Sequence, residues 1–266
     1  MLTTQSFFDV SDFPDHKLFE PDNKVWQPLN DLKNYMDSYH YPKYDNVYIR
    51  NGIPLTEHII IHKGQTLCFN DLQIIYGDST KGELEVIRAG MRLEGASVIM
   101  AGAVLSGNKI AIGEGVLIET GAMVKSPAII GDMTEVRQGA YLRGYCIAGK
   151  RCVLGHTTEI KHSIFLNDAK AGHFAYVGDS ILGNNVNLGA GTKLANLKFI
   201  PGNITVFFQG EQVDTSRRKL GAILGDGSQT GCNSVTSPGT LMAKGAILMP
   251  NATARGGYRK EKIIIR

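Results

Sequence analysis

The sequence predicts a mainly β fold: a left-handed parallel β-helix of hexapeptide repeats with a small, partly helical N-terminal region. Three observations carry this. Aliphatic residues recur every six positions, small residues follow them four places behind, and the 266 residues include 31 glycines against one tryptophan. A period of six does not fit the 3.6 of a helix but fits a short strand plus a corner. Three such hexads make one triangular coil, so residues 18 apart stack at the strand spacing of about 4.8 Å.

Residues 1–75 lack the period. Within them Val25, Trp26, Leu29, Leu32, Tyr35 and Met36 recur at three to four residues behind the capping candidates Asp22 and Asn23. One amphipathic helix is predicted there, with Pro28 early enough to be tolerated. Residues 76–254 are assigned to the β-helix, 76–111 as irregular early coils. From Ile112 the inward series runs Ile118, Val124, Ile130, Val136, Leu142, Ala148, Leu154, Ile160 and Leu166. The small series, including Thr134, Cys146, Cys152 and Thr158, fits where walls converge, which makes both cysteines core filler. The phase breaks after Leu166, resumes at Leu182, Leu188 and Leu194, and returns from Leu224 to Leu248. Residues 197–223 interrupt it as an inserted loop or hairpin, and 255–266 form a basic tail with five cationic residues against Glu261, read as a solvated terminus or as a contact for a phosphorylated ligand.

Charge and cysteine content exclude several classes. With 28 Lys and Arg against 25 Asp and Glu, the net charge of +3 gives no reason to expect a nucleic-acid partner. No apolar run reaches the roughly 18 residues of a membrane span, and the first twenty residues carry four acids, so a cytoplasmic protein without membrane contact is expected. Four scattered cysteines make no disulfide framework.

Chemistry concentrates at two places. His173 falls at the phase break beside Gly172, where irregularity exposes side chains. Arg143 and Lys161 each follow an inward aliphatic and lie one coil of 18 apart, so two cations project outward side by side. Either a neighbouring acid such as Glu159 compensates them or they hold a dianion such as a sugar phosphate. His156 and His162 lie on different sides of one coil, so a metal site is not expected.

The run from Glu159 to Lys161, then Lys170-Ala-Gly-His173-Phe-Ala-Tyr176-Val-Gly-Asp, then Asn185-Val-Asn187-Leu-Gly-Ala190-Gly-Thr, then Asn196, resembles a known family. It is similar to the acetyltransferase domain of the bifunctional N-acetylglucosamine-1-phosphate uridyltransferase/glucosamine-1-phosphate acetyltransferase. It is similar too to the C-terminal domains of sugar-1-phosphate nucleotidylyltransferases. The resemblance covers roughly residues 110–254. It implies a homotrimer with interfacial sites, acetyl-CoA as co-substrate, no metal requirement, and an amino sugar phosphate acceptor on the way to UDP-N-acetylglucosamine.

Residue by residue, the resemblance gives His173 the part of general base and Arg143 and Lys161 the sugar phosphate. Tyr176, Asn187 and Lys219 are implied to bind the acceptor. Ala190, Asn196, Cys232 and Pro250 fall at the cofactor positions, and Cys232 and Pro250 depart from the family's Ser and Ala. No nucleotide-binding loop of the uridyltransferase type is present, and residues 1–75 match nothing in the family. Two other readings stand beside acetyl transfer: acylation of a nucleotide sugar, and a non-catalytic trimer that binds sugar phosphate.

Overall fold

Each coil of the repeat has an apolar inside, so its backbone N–H and C=O groups have to pair with the coils above and below. In a computed structural model, which describes residues 1–44 and 49–266, that pairing builds a three-walled parallel β-helix. Wall one climbs through Ser97–Ile99, Leu117–Ile118, Glu135–Val136, Val153–His156, Lys170–His173 and Asn187–Leu188 to Ile264–Ile265. Wall two runs from Val104–Ser106 through Tyr141–Leu142, Glu159–Lys161, Tyr176–Gly178 and Lys193–Leu194 to Thr253–Ala254. Wall three runs from Ile110–Ile112 through Cys146–Ala148, Ser163–Phe165 and Ile181–Leu182 to Gly257–Arg259. One apolar column fills the prism, from Leu105 and Ile118 to Leu248 and Ala254.

The corners explain the period and its failure. Left-handed backbone recurs at Met133, Gly139, Tyr145, Arg151 and Thr157, six residues apart each time. The next steps are five to His162, six to Asp168, six to Phe174, five to Asp179 and six to Asn185. Two hexads in wall two are therefore pentads, and two successive coils hold 17 residues: Ile147 pairs with Ile164 and Ile164 with Ile181. The break begins at His162, one hexad before the expected place. Inward phase shifts by one with it, so Phe165 fills the prism while Leu166 is buried outside wall three.

Cys146 and Cys152 are buried at the corners, where burial pushes both thiols up to about 12 and leaves them without a nucleophilic thiolate at neutral pH. Thr134 and Thr158 fit the same small series because their hydroxyls donate to Gly149 and Ala171 carbonyls.

Outside the repeat, residues 1–41 wrap over wall three. Phe7, Phe13, Trp26, Leu29 and Leu32 are buried against Ile129, Ile147, Ile164, Leu166 and Ile223. This segment includes the helices α1 (Thr4–Phe7) and α2 (Gln27–Ser38). Asp22 and Asn23 do not cap α2. A bridge between Thr3 and Lys24 keeps that stretch extended, and Trp26 is the N-cap without a side-chain bond. Residues 76–111 are not all coil, because Leu72–Ile75, Glu85–Arg88 and Met91–Arg92 form a separate antiparallel sheet. The first coil starts at Ser97, and antiparallel Ile59–Ile61 covers its edge.

The insert contains a hairpin of Thr205–Phe208 and Glu211–Asp214 turned by Gln209-Gly210, both residues at positive φ. The basic tail differs from the solvated terminus expected: Gly257–Arg259 and Ile264–Ile265 add strands to walls three and one, since Thr240–Met242 and Ile247–Leu248 otherwise leave unpaired edges.

At the edge between walls one and two, a Cβ on Gly155 overlaps the Gly172 carbonyl of the next coil. Gly155→Ala is expected to lower stability by about 1–3 kcal/mol through forced separation of two rungs. Thermal denaturation checks this, and an unchanged midpoint contradicts the close approach.

Candidate functional site

Wall two is bounded by two edges, and the candidate residues divide between them. On the edge shared with wall one, Leu154 pairs with Ala171, Ala171 with Leu188, Leu188 with Thr230 and Thr230 with Leu248. Two residues further along each strand the column reads His156, His173, Ala190, Cys232 and Pro250. Direct pairing of His156 with His173 starts it, and Gly191, Asn233 and Asn251 donate in turn to the carbonyls of His173, Ala190 and Cys232. Four of the candidates thus form one line running up the prism. The adjacent column is Gly155, Gly172, Gly189, Gly231 and Met249; a Cβ on Gly189 or Gly231 collides with the backbone of the next rung. The edge is narrow, and its Gly189-Ala190-Gly191 rung is nearly bare of side chains between His173 below and Cys232 above. His173 is exposed, and its imidazole has no hydrogen-bond partner among the described residues; Phe174 beside it lies edge-on to His156 at 5.2 Å.

The opposite edge of wall two carries the cations. Leu142 pairs with Ile160, so Arg143 and Lys161 project on adjacent rungs as the spacing requires. Both are ion-paired: Arg143 Nη1 lies 2.6 Å from Glu159 Oε1, and Lys161 Nζ lies 3.6 Å from Asp179 Oδ2. The bond to Glu159 raises the Arg143 pKa further. In the pentads no residue matches Gly144, so Lys161 runs straight into the corner at His162 and Gly178 into the corner at Asp179. That brings His162 and Asp179 into one buried cluster, with Nδ1 and Oδ1 3.4 Å apart.

Asp179 is its centre. Its side chain is 7% exposed and faces Lys161, His162, and Arg217 Nη2 at 3.5 Å, and it accepts a 2.6 Å hydrogen bond from Asn196 Nδ2. Burial lowers the Arg217 pKa, and Asp179 opposes that shift. His162 is held down to about 4 by burial, despite the opposing pull of Asp179.

A cleft of about 520 Å³ opens over this cluster and is lined by Arg143, Lys161, Arg217, Lys219, Lys33 and Tyr145 among others. The structure therefore joins Lys219 to the Arg143–Lys161 pair. Tyr176 lies on the outward face of wall two, on the rung next to Glu159, and its hydroxyl donates to Asn196 Oδ1 at 3.3 Å. Asn196, which the resemblance assigns to the cofactor, is buried here and bonded to Asp179 and Tyr176. Asn187 is exposed on wall one, around the corner from Tyr176.

Asp179, His162 and Arg217 were missed by the sequence reading. Asp179 closes the motif that contains His173, and the five-residue steps between turn residues were the available signal; Arg217 comes from a loop with no period to place it. Among the described residues no three His, Cys, Asp or Glu side chains converge as a metal ligand set, and no helix is long and apolar enough to cross a membrane.

A family model described as the GMPPB C-terminal domain matches residues 124–264, just over half the chain. The chain belongs to that family. As a member of the GMPPB C-terminal domain family it is also similar to a bifunctional sugar-1-phosphate nucleotidylyltransferase/acetyltransferase of Sulfurisphaera tokodaii. That relative is 36% identical over 153 residues, 51% of this chain and 38% of the relative. The bifunctional protein GlmU of Methanocaldococcus jannaschii is 40% identical over 100 residues, 38% of this chain and 24% of the relative. The chain spans less than half the length of these curated relatives. A solved Francisella novicida UDP-N-acetylglucosamine acyltransferase is 15% identical, covers 59% of this chain and 58% of its own, and has a TM-score of 0.38.

The depressed His162 pKa has a signed consequence. Unfolded histidine takes a proton near 6.5 and folded His162 only near 4, so its stabilising contribution is complete above pH 6.5 and is lost as pH falls toward 4. Urea midpoints between pH 7.5 and 4.5 should fall in the wild type and fall less in His162→Gln. Equal slopes refute the assignment.

Proposed function

We propose that the chain is an acetyl-CoA-dependent N-acetyltransferase acting on glucosamine 1-phosphate or a similar amino sugar phosphate. The observation that carries the reading is the division of wall two: His173 stands on a glycine-lined edge on one side, and Arg143, Lys161 and Lys219 gather on the other. His173 and the column of Lys161 are five residues apart along the chain, at most about 18 Å. A sugar phosphate laid across the wall can place its phosphate at the cations and its amine at His173. Ala190, Cys232 and Pro250, stacked beyond His173, suit the extended arm of a CoA thioester, since the glycines flanking Ala190 let the thioester end lie close to the backbone.

Acetyl-CoA supplies the acetyl group. The protein's share is to orient the amine, accept its proton at His173, and offer a backbone N–H near Ala190 to the developing oxyanion. Tyr176, at the middle of the wall, faces the sugar ring. Asn187 lies around the corner in the same protomer, which favours a homotrimer in which a neighbouring copy brings that face to the site. The relatives' names, a nucleotidylyltransferase/acetyltransferase and GlmU, support the same chemical class.

A thiol-release assay over a panel of amino sugar phosphates tests the reading. His173→Ala should lower kcat by about 10²–10⁴-fold with little change in acceptor KM. Arg143→Ala and Lys161→Ala should raise acceptor KM. Release of no thiol with any acceptor, or full turnover by His173→Ala, rejects the mechanism.

A further inference from the structure

The cations at the floor of the cleft already have acids: Glu159 holds Arg143, and Asp179 holds Lys161 and Arg217. Two lysines of the same cleft have no carboxylate within ion-pair distance among the described residues, Lys219 from the insert and Lys33 from α2. Lys33 is the unexpected one, because it lies far outside the repeat. Its ammonium stands 5.4 Å from the centroid of the Tyr145 ring, a weaker contact than a charge-assisted hydrogen bond.

The helix holds Lys33 in that place. Asn30, Lys33 and Asp37 are spaced three and four apart and share one face of α2. The outer two are tied to other parts of the molecule. Asn30 Oδ1 accepts from Arg217 Nη1 at 2.7 Å, and Asp37 pairs with Lys109 at 2.9 Å and accepts from the Tyr145 hydroxyl at 3.3 Å. Leu29 is buried beneath. Between these anchors Lys33 meets the mouth of the cleft that Lys219 also lines; Asp37, one turn on, acts on it only through space and spends its hydrogen bonds on Lys109 and Tyr145. Clustered cations repel, and an anion between them removes that repulsion.

We infer that Lys33 binds the phosphate of the acceptor, so that a helix outside the repeat completes the acceptor site and the anion is held between prism and N-terminal segment. The inference rests on the reading of this cleft as the phosphate site. It makes the N-terminal segment part of substrate selection as well as a cover for wall three.

Calorimetric titration with glucosamine 1-phosphate and with glucosamine separates the two claims without relying on turnover. Lys33→Gln should weaken binding of glucosamine 1-phosphate about tenfold and leave glucosamine unchanged, while Lys33→Arg restores most of the loss. Lys17→Gln, an exposed lysine elsewhere on the same segment, should match the wild type. If Lys33→Gln binds the phosphate as tightly as the wild type, the inference falls and the cleft reading stands. A wild type that makes no distinction between glucosamine and its phosphate overturns both.

Discussion

Rung-to-rung backbone pairing is the constraint from which the rest of the molecule follows. A coil with an apolar interior cannot leave its amides and carbonyls unpaired, so a residue can be lost only where the chain turns. Wall two gives up one residue in each of two successive coils, at the corners of His162 and Asp179. The loss leaves the ladders intact and costs only a shift of inward phase, from Leu166 to Phe165. It also removes the spacer that Gly144 supplies one coil earlier, which draws an imidazole and a carboxylate beneath the cations. The local exception to the repeat and the chemistry of the cleft have one origin.

The electrostatics of the cleft form two tiers. Below, Asp179 is nearly enclosed and faces Lys161, Arg217 and Asn196; a buried carboxylate is tolerated only with such company. Above, charges face solvent: Arg143 is held by Glu159, while Lys33 and Lys219 have no carboxylate at ion-pair distance among the described residues. The lower tier fixes geometry, and the upper tier is left to meet a ligand. The tiers draw on the repeat, the insert and the N-terminal helix alike, so none of these is an ornament on the others.

The walls, the inward aliphatics and the small corner residues were legible in the sequence because each position repeats its neighbour's environment. The Arg143–Lys161 adjacency was legible for the same reason, as was the exposure of His173. What escaped was whatever the period does not govern. Asp22 and Asn23 looked like caps, yet a long-range bridge to Lys24 overrides local preference. The tail looked solvated because its charges hide two short strand signals, Gly257–Arg259 and Ile264–Ile265. The bonds of Asn196 to Asp179 and Tyr176 escaped as well, because resemblance carries residue identity but not the hydrogen bonds that a particular chain makes.

The insert leaves the coil after Asn196 and rejoins it at Leu220, and those two residues are joined by a 3.0 Å hydrogen bond from the Leu220 amide to the Asn196 carbonyl. The excursion therefore closes on itself like a detour that returns to the junction it left. Such a graft can lengthen, shorten or change its residues while the spine keeps every rung. A lineage built on this plan can reshape what it recognises at that flank and hand down its scaffold unaltered.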